Sequence, residues 1–206
     1  MPLDLATLVA PGRTALVLQE VQRGVVGEPS ALPALTEACR AVDLVGNCAA
    51  LAARARAVGV PVLHCTAETR EDLRGANRNA RLFMGVLKAP VRLLPGSEAV
   101  QVPDEIGVAP EDIVLPRYHG LGPLTGTQLD PILRNLGVTT IVGVGVSVNI
   151  GMTDFAFSAV NHGYQFVMPR DAVAGVPAAY ADAVIDNTLS LVTTVTTSAE
   201  VLAAWG

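Results

Sequence analysis

Charge and aromatic rings are both scarce in this chain. Of its 206 residues only 16% are charged and 4% aromatic, against 50% hydrophobic. The interior must therefore be assembled from Ala, Val, Leu and Ile, the mix that suits helices laid on a Val/Ile-rich parallel sheet. Positive charge is in deficit: 14 Lys and Arg against 19 Asp and Glu leave a net charge of -5. No basic run interleaves with aromatics, so no nucleic acid partner is expected. Uninterrupted apolar runs of about 18 residues, the length a membrane span needs, are missing. The opening MPLDLATLVAPG carries an acid and too short an apolar run for a secretory signal. The expectation is a soluble cytoplasmic protein with no membrane partner. The three cysteines, Cys39, Cys48 and Cys65, cannot all pair and show no CxxC spacing, which fits a reducing compartment and argues against a disulfide scaffold or zinc site. His64, His119 and His162 form no metal spacing either, so neither metal nor cofactor is expected.

What is present alternates. Residues 13–19 (RTALVLQ) form an apolar run ending in polar Glu20-Val21-Gln22, the pattern of a buried strand entering a loop. Between about 31 and 58, Leu35, Cys39, Val42, Val45, Ala49 and Ala52 recur at three- or four-residue steps and predict one long helix, closed by Gly59. Val60–Cys65 predicts a second strand. Residues 66–110, half polar and half punctuated by Pro and Gly, predict an active-site excursion with at most short helices. Ile113-Val114-Leu115 predicts a strand stopped by Pro116. Thr127 is placed to cap a helix of about 128–136, and Asn149 one running to His162. Thr139–Val144 and Gln165–Met168 predict further strands. A helix of about 178–191 precedes a β-like stretch at 192–196. The length suits one domain, residues 1–206, and the alternation implies right-handed βαβ crossovers. The fold class is thus α/β: three layers, α/β/α, around a mostly parallel central sheet in the Rossmann-like manner. In such sheets ligands collect at the carboxyl ends of the strands, which singles out Glu20 and Gln22, His64 and Cys65, Arg117 to His119, Ser147 to Gly151, and Asp171.

Three segments carry a resemblance over nearly the whole chain: ALVLQEVQRG, LTGTQLDPILRNLGVTTIVGVGVSVNIG and AVNHGYQFVMPRDAVAG. They resemble the isochorismatase-like (cysteine hydrolase) superfamily, whose members include isochorismatases, nicotinamidases and N-carbamoylsarcosine amidases. The resemblance implies an Asp–Lys–Cys triad, with the Asp falling on Glu20, the Lys near Arg117 or, in another register, on Tyr118, and the Cys on Gly151. All three positions depart from that pattern. Glycine has no side chain with which to attack a carbonyl carbon, so thiol-based amidase chemistry is excluded at position 151. The resemblance also implies a cis peptide at Val146–Ser147, a homo-oligomer (dimer or tetramer), and, through the isochorismatase branch that likewise carries glycine there, a hydrolysis needing no nucleophilic side chain.

The reading that follows is a cysteine-independent, hydrolase-like protein acting on a small anionic or carbonyl-containing molecule. Glu20 is its acid/base, Arg117 its anion partner, and the Ser147 and Gly151 N–H groups an oxyanion cradle. Gln22, Tyr118, His119, Asn149 and Phe155 are candidate substrate contacts. Two alternatives stand beside it. One is a catalytically silent member that binds a ligand or a partner subunit. The other is a hydrolase using Cys65 as a displaced nucleophile, although Cys65 and His64, adjacent on a strand, point to opposite faces. His162 is read as a helix-end cap, Asp171 as a loop stabiliser, and Cys39 and Cys48 as packing residues.

Overall fold

The structure, a computed structural model, describes residues 4–206; residues 1–3, where the N-terminal reading begins, lie outside the described residues. Seven strands form one sheet among the described residues: β1 (Thr14–Gln19), β2 (Val62–Ala67), β3 (Ile113–Arg117), β4 (Thr140–Val146), β5 (Gln165–Pro169), β6 (Val173–Ala174) and β7 (Thr194–Thr196). The order is β3-β2-β1-β4-β5-β7, with β6 pairing β4, and every pairing is parallel. The helices are α1 (Leu5–Leu8), α2 (Arg23–Val26), α3 (Pro33–Ala41), α4 (Leu44–Ala57), α5 (Arg81–Val86), α6 (Leu129–Asn135), α7 (Thr153–Asn161), α8 (Ala178–Asn187) and α9 (Ser198–Ala204).

The three layers follow from the two-residue period of the strands. Leu16 and Leu18 of β1 face α3, α4 and α9, packing with Leu35, Leu51 and Val201. Ala15 and Val17 face α6, α7 and α8, packing with Leu129, Phe155 and Ile185. Both faces of the sheet are covered, so β1 and β4 are buried along their whole length, as a parallel sheet requires. No helix among the described residues is long and apolar enough to cross a membrane.

Three element expectations need correction. The long helix over 31–58 is two helices, because Asp43 takes a left-handed conformation (φ 49°) between α3 and α4, a break that apolar spacing cannot register. Pro116 does not stop β3: the strand runs through it to Arg117, because an edge strand can leave proline's missing N–H on the unpaired side. Asn149 does not cap α7. Val148–Met152 forms a π turn ahead of Thr153, and the Asn149 side chain bonds instead to the Val176 carbonyl (3.3 Å).

The chain builds β1 to β3 toward one edge, then returns to place β4 on the other side of β1. The strand order therefore reverses between β1 and β4, the position where doubly wound sheets open a ligand crevice. Register sets the floor of that crevice, with Gln19 beside Cys65 and Gly145, and Ala67 beside Arg117.

Candidate functional site

Glu20 is the first residue beyond β1, and its backbone is left-handed (φ 52°). For a residue with a Cβ that conformation costs about 1–2 kcal/mol. Its N–H donates to the Cys65 carbonyl (2.8 Å), so the neighbouring strand β2 holds the turn. The carboxylate pairs with Arg117, whose Nη2 also donates to the Leu121 carbonyl (3.1 Å). Arg117 is only 6% exposed. Its Nε and Nη1 are buried without partners, and its positive charge opposes the burial effects on Cys65 and Asp154.

A cavity of about 140 Å³ opens above these strand ends. Its floor is Glu20, Arg117, Ser147, Ile150 and Gly151; Glu68, Tyr118 and His119 stand around it; Leu32, Leu35, Leu82, Phe83, Val86 and Leu93 wall it. The excursion over 66–110 supplies the cover through α5, and Asn77 fastens that cover to the floor by accepting the Gly120 N–H (2.9 Å). The bond between Val146 and Ser147 is cis, and the turn that follows carries Ser147 and Gly151 to the cavity.

Glu20, Arg117, Gly151, Tyr118, His119 and Ser147 are thus brought together around one cavity. Tyr118 is 45% exposed at its mouth, while Arg117 is the buried partner of the acid. Three candidates are not brought there. Gln22 is wholly buried and spends its carboxamide on the backbone of Ala67, accepting from its N–H (2.7 Å) and donating to its carbonyl (3.0 Å); nothing polar is left for a substrate. Phe155 points into the core below, edge-on to Phe166 with ring centroids 4.9 Å apart. Asn149 faces the Val176 segment. Cys65 lies in the core layer under α6 and α7, and burial pushes its thiol up to about 12 against the opposing pull of Arg117. Cys39 and Cys48 pack in the other layer, their thiols also pushed up by burial.

One residue escaped the sequence reading. Gln19, the last of β1, has no exposed surface; its Nε2 donates to the Leu121 carbonyl (3.1 Å) and its Oε1 has no partner. A Cβ built on Gly151 would fall within 3.0 Å of that Nε2 and 3.2 Å from the carbonyl oxygens of Leu121 and Val146. The carboxamide fills the space directly beneath position 151. A glutamine inside the otherwise apolar strand TALVL was the available signal, because a buried parallel strand seldom carries a polar side chain without a use for it. His162 closes α7 with Nδ1 2.7 Å from the Ser158 carbonyl oxygen. Asp171 accepts from the Ser198 N–H (2.8 Å) and hydroxyl (2.5 Å), fixing its loop to α9.

The sheet order and the crevice at its switch point define a doubly wound, three-layer α/β protein with its site at the carboxyl ends of the strands. An isochorismatase family protein of Burkholderia thailandensis superposes with a TM-score of 0.76 at 28% identity, covering 94% of this chain and 96% of that one. A cysteine hydrolase from Pseudomonas syringae pv. phaseolicola superposes with a TM-score of 0.82 at 24% identity, over 96% and 94% of the two chains. The isochorismatase domain model matches residues 14–200, and the chain belongs to that family. Among its relatives, the isochorismatase family protein YecD of Escherichia coli O157:H7 is 30% identical over 171 residues, 80% of this chain and 81% of that protein.

Proposed function

We propose that this chain hydrolyses a small carbonyl-containing molecule without a thiol, using water activated by Glu20. The observation carrying this reading is that Glu20, its partner Arg117 and the Ser147–Gly151 turn line one cavity that none of the three cysteines lines. Glycine at 151 stands where the family pattern places the nucleophile. A carboxylate paired with a guanidinium is an acceptor, so Glu20 takes a proton from a water molecule, and the resulting hydroxide adds to the substrate's carbonyl carbon. Negative charge then develops on the carbonyl oxygen. The main-chain N–H groups of Ser147 and Gly151 are the polarity available to it at the turn. When the tetrahedral adduct collapses, Glu20 returns the proton to the leaving group. Arg117 serves this scheme as the group that holds Glu20 rather than as a ligand for a substrate anion, because its Nη2 is engaged and its other nitrogens are enclosed.

The test is turnover of a panel of primary amides and esters, before and after treatment with iodoacetamide. Turnover is expected to survive alkylation and to fall by roughly 10²–10⁴-fold in Glu20→Gln, the range a positioned acid/base contributes. Loss of turnover on alkylation, or an active Glu20→Gln, refutes the scheme. A ligand-dependent rise in Tm with no product identifies a binding member of the family instead.

A further inference from the structure

We propose that the cavity selects apolar-bodied molecules carrying a cationic or N–H-donating nitrogen, which Glu68 accepts, and that it rejects carboxylates. This rests on the cavity being the substrate site. The argument is a balance of charge. Three charged side chains line the cavity: Glu20, Glu68 and Arg117. Arg117 and Glu20 neutralise each other, and the two remaining guanidinium nitrogens, Nε and Nη1, have almost no accessible surface to offer a ligand. A ligand carboxylate entering here therefore meets no free cation, and it meets Glu68.

Glu68 follows β2 and is half-buried; its N–H is fixed to the Arg117 carbonyl (2.9 Å). Among the described residues it is in no ion pair. Burial raises its carboxyl above the ordinary range, with the Tyr118 hydroxyl working against the rise, the behaviour of an acid facing a cavity without a counter-charge. The remaining wall is aliphatic or aromatic, from Leu32 and Leu35 on one side and Phe83, Val86 and Leu93 on the cover. An apolar body fills such a wall, and one polar group is then fixed by the single unpaired carboxyl. Arg74, Arg78 and Arg81 lie on the same covering segment but are exposed and outside the lining. Solvent and salt screen them, so they bias approach rather than occupancy.

Benzamidine, benzamide and benzoate share one apolar ring and nearly one shape, and differ in charge. Isothermal titration and thermal shift on the whole chain at neutral pH are expected to give the order benzamidine, then benzamide, then benzoate. The first and last should differ by about tenfold or more, the scale of one charge-assisted hydrogen bond. Glu68→Gln should collapse that gap to within about twofold, while Glu71→Gln, an exposed acid on the same segment but outside the lining, should preserve the order. Benzoate binding as well as benzamidine, an order unchanged by Glu68→Gln, or no binding of any of the three overturns the proposal. The readout is binding alone, so a failure of Glu20-dependent turnover strikes the hydrolytic scheme and a reversed order strikes this one.

Discussion

Introducing a thiol at the turn, Gly151→Cys, is the perturbation that the geometry resolves most sharply. The added Cβ would fall within 3.0 Å of Gln19 Nε2 and 3.2 Å from two carbonyl oxygens. The carboxamide has to move, yet Gln19 has no exposed surface into which it can swing. Moving it breaks its bond to the Leu121 carbonyl, and stranding a buried polar group costs about 1–3 kcal/mol. For a chain of this length each kcal/mol lowers Tm by about 2–4 °C, so Gly151→Cys should melt roughly 2–12 °C below the parent. Gln19→Val removes the obstruction. The double variant Gln19→Val/Gly151→Cys should therefore be more stable than the sum of its singles, with a coupling of about 0.5–3 kcal/mol. Thermal melts of the four proteins give the cycle, and titration with Ellman's reagent in the folded state counts accessible thiols. The parent should show no fast-reacting thiol, since Cys39, Cys48 and Cys65 are all buried. The double variant should show one. If Gly151→Cys alone melts with the parent and reacts at once, the carboxamide does not occupy that space and the reasoning fails.

Acidification should weaken the fold in two stages through His64, Asp112 and Arg56. Burial lowers the His64 pKa below 6.5 despite its bond to Asp112, so below about pH 6.5 the unfolded chain binds the proton more readily and stability falls. Burial works to raise the Asp112 carboxyl, but Arg56, the Ala109 N–H and His64 outweigh it and leave its pKa below 3.8; the stability it contributes is present above that value and lost below it. Urea midpoints between pH 7 and 5 should drop for the parent and drop less for His64→Gln. Replacing Arg117 with Met leaves Glu20 without its partner and should cost about 1–3 kcal/mol by urea denaturation, together with any turnover; an unchanged midpoint would show that the pair contributes nothing to the fold. Thr197→Ala removes the capping box shared with Glu200 at the start of α9 and should cost about 1 kcal/mol by the same assay, leaving ligand binding untouched.

Sequence periodicity revealed the layers because the central strands had to be buried on both faces and the covering helices on one. It placed the strand-end residues Glu20, Arg117, Ser147 and Gly151 correctly at one end of the sheet, since parallel strands carry their carboxyl ends to the same side. It failed where a side chain's direction is decided by a neighbour distant in sequence. Gln22 lies two residues from Glu20, but its turn sends it to the Ala67 backbone. Phe155 lies in the first turn of α7, near the cavity, but its position on the helix aims it at Phe166. The Asp43 break between α3 and α4 was hidden because a left-handed residue leaves apolar spacing nearly undisturbed on either side. Gln19 was hidden for the opposite reason: its composition was visible, but its partner, the Leu121 carbonyl, is 102 residues away.

Gln19, Arg117 and Gly151 are better understood together than one by one. Gln19 Nε2 and Arg117 Nη2 donate to the same oxygen, the Leu121 carbonyl, each at 3.1 Å. The residue that fills the space under position 151 therefore shares an anchor with the residue that holds the acid. An arginine cannot surrender a proton as a lysine can, so Arg117 has none to pass to Glu20. A thiol at 151 would need that space open and a partner able to pass protons. A cavity that had only lost its nucleophile would need a single substitution to recover a reactive thiol, whereas this one requires Gln19 to leave as well. The two outcomes differ by one measurement, the reactivity of Cys at 151 with and without Gln19.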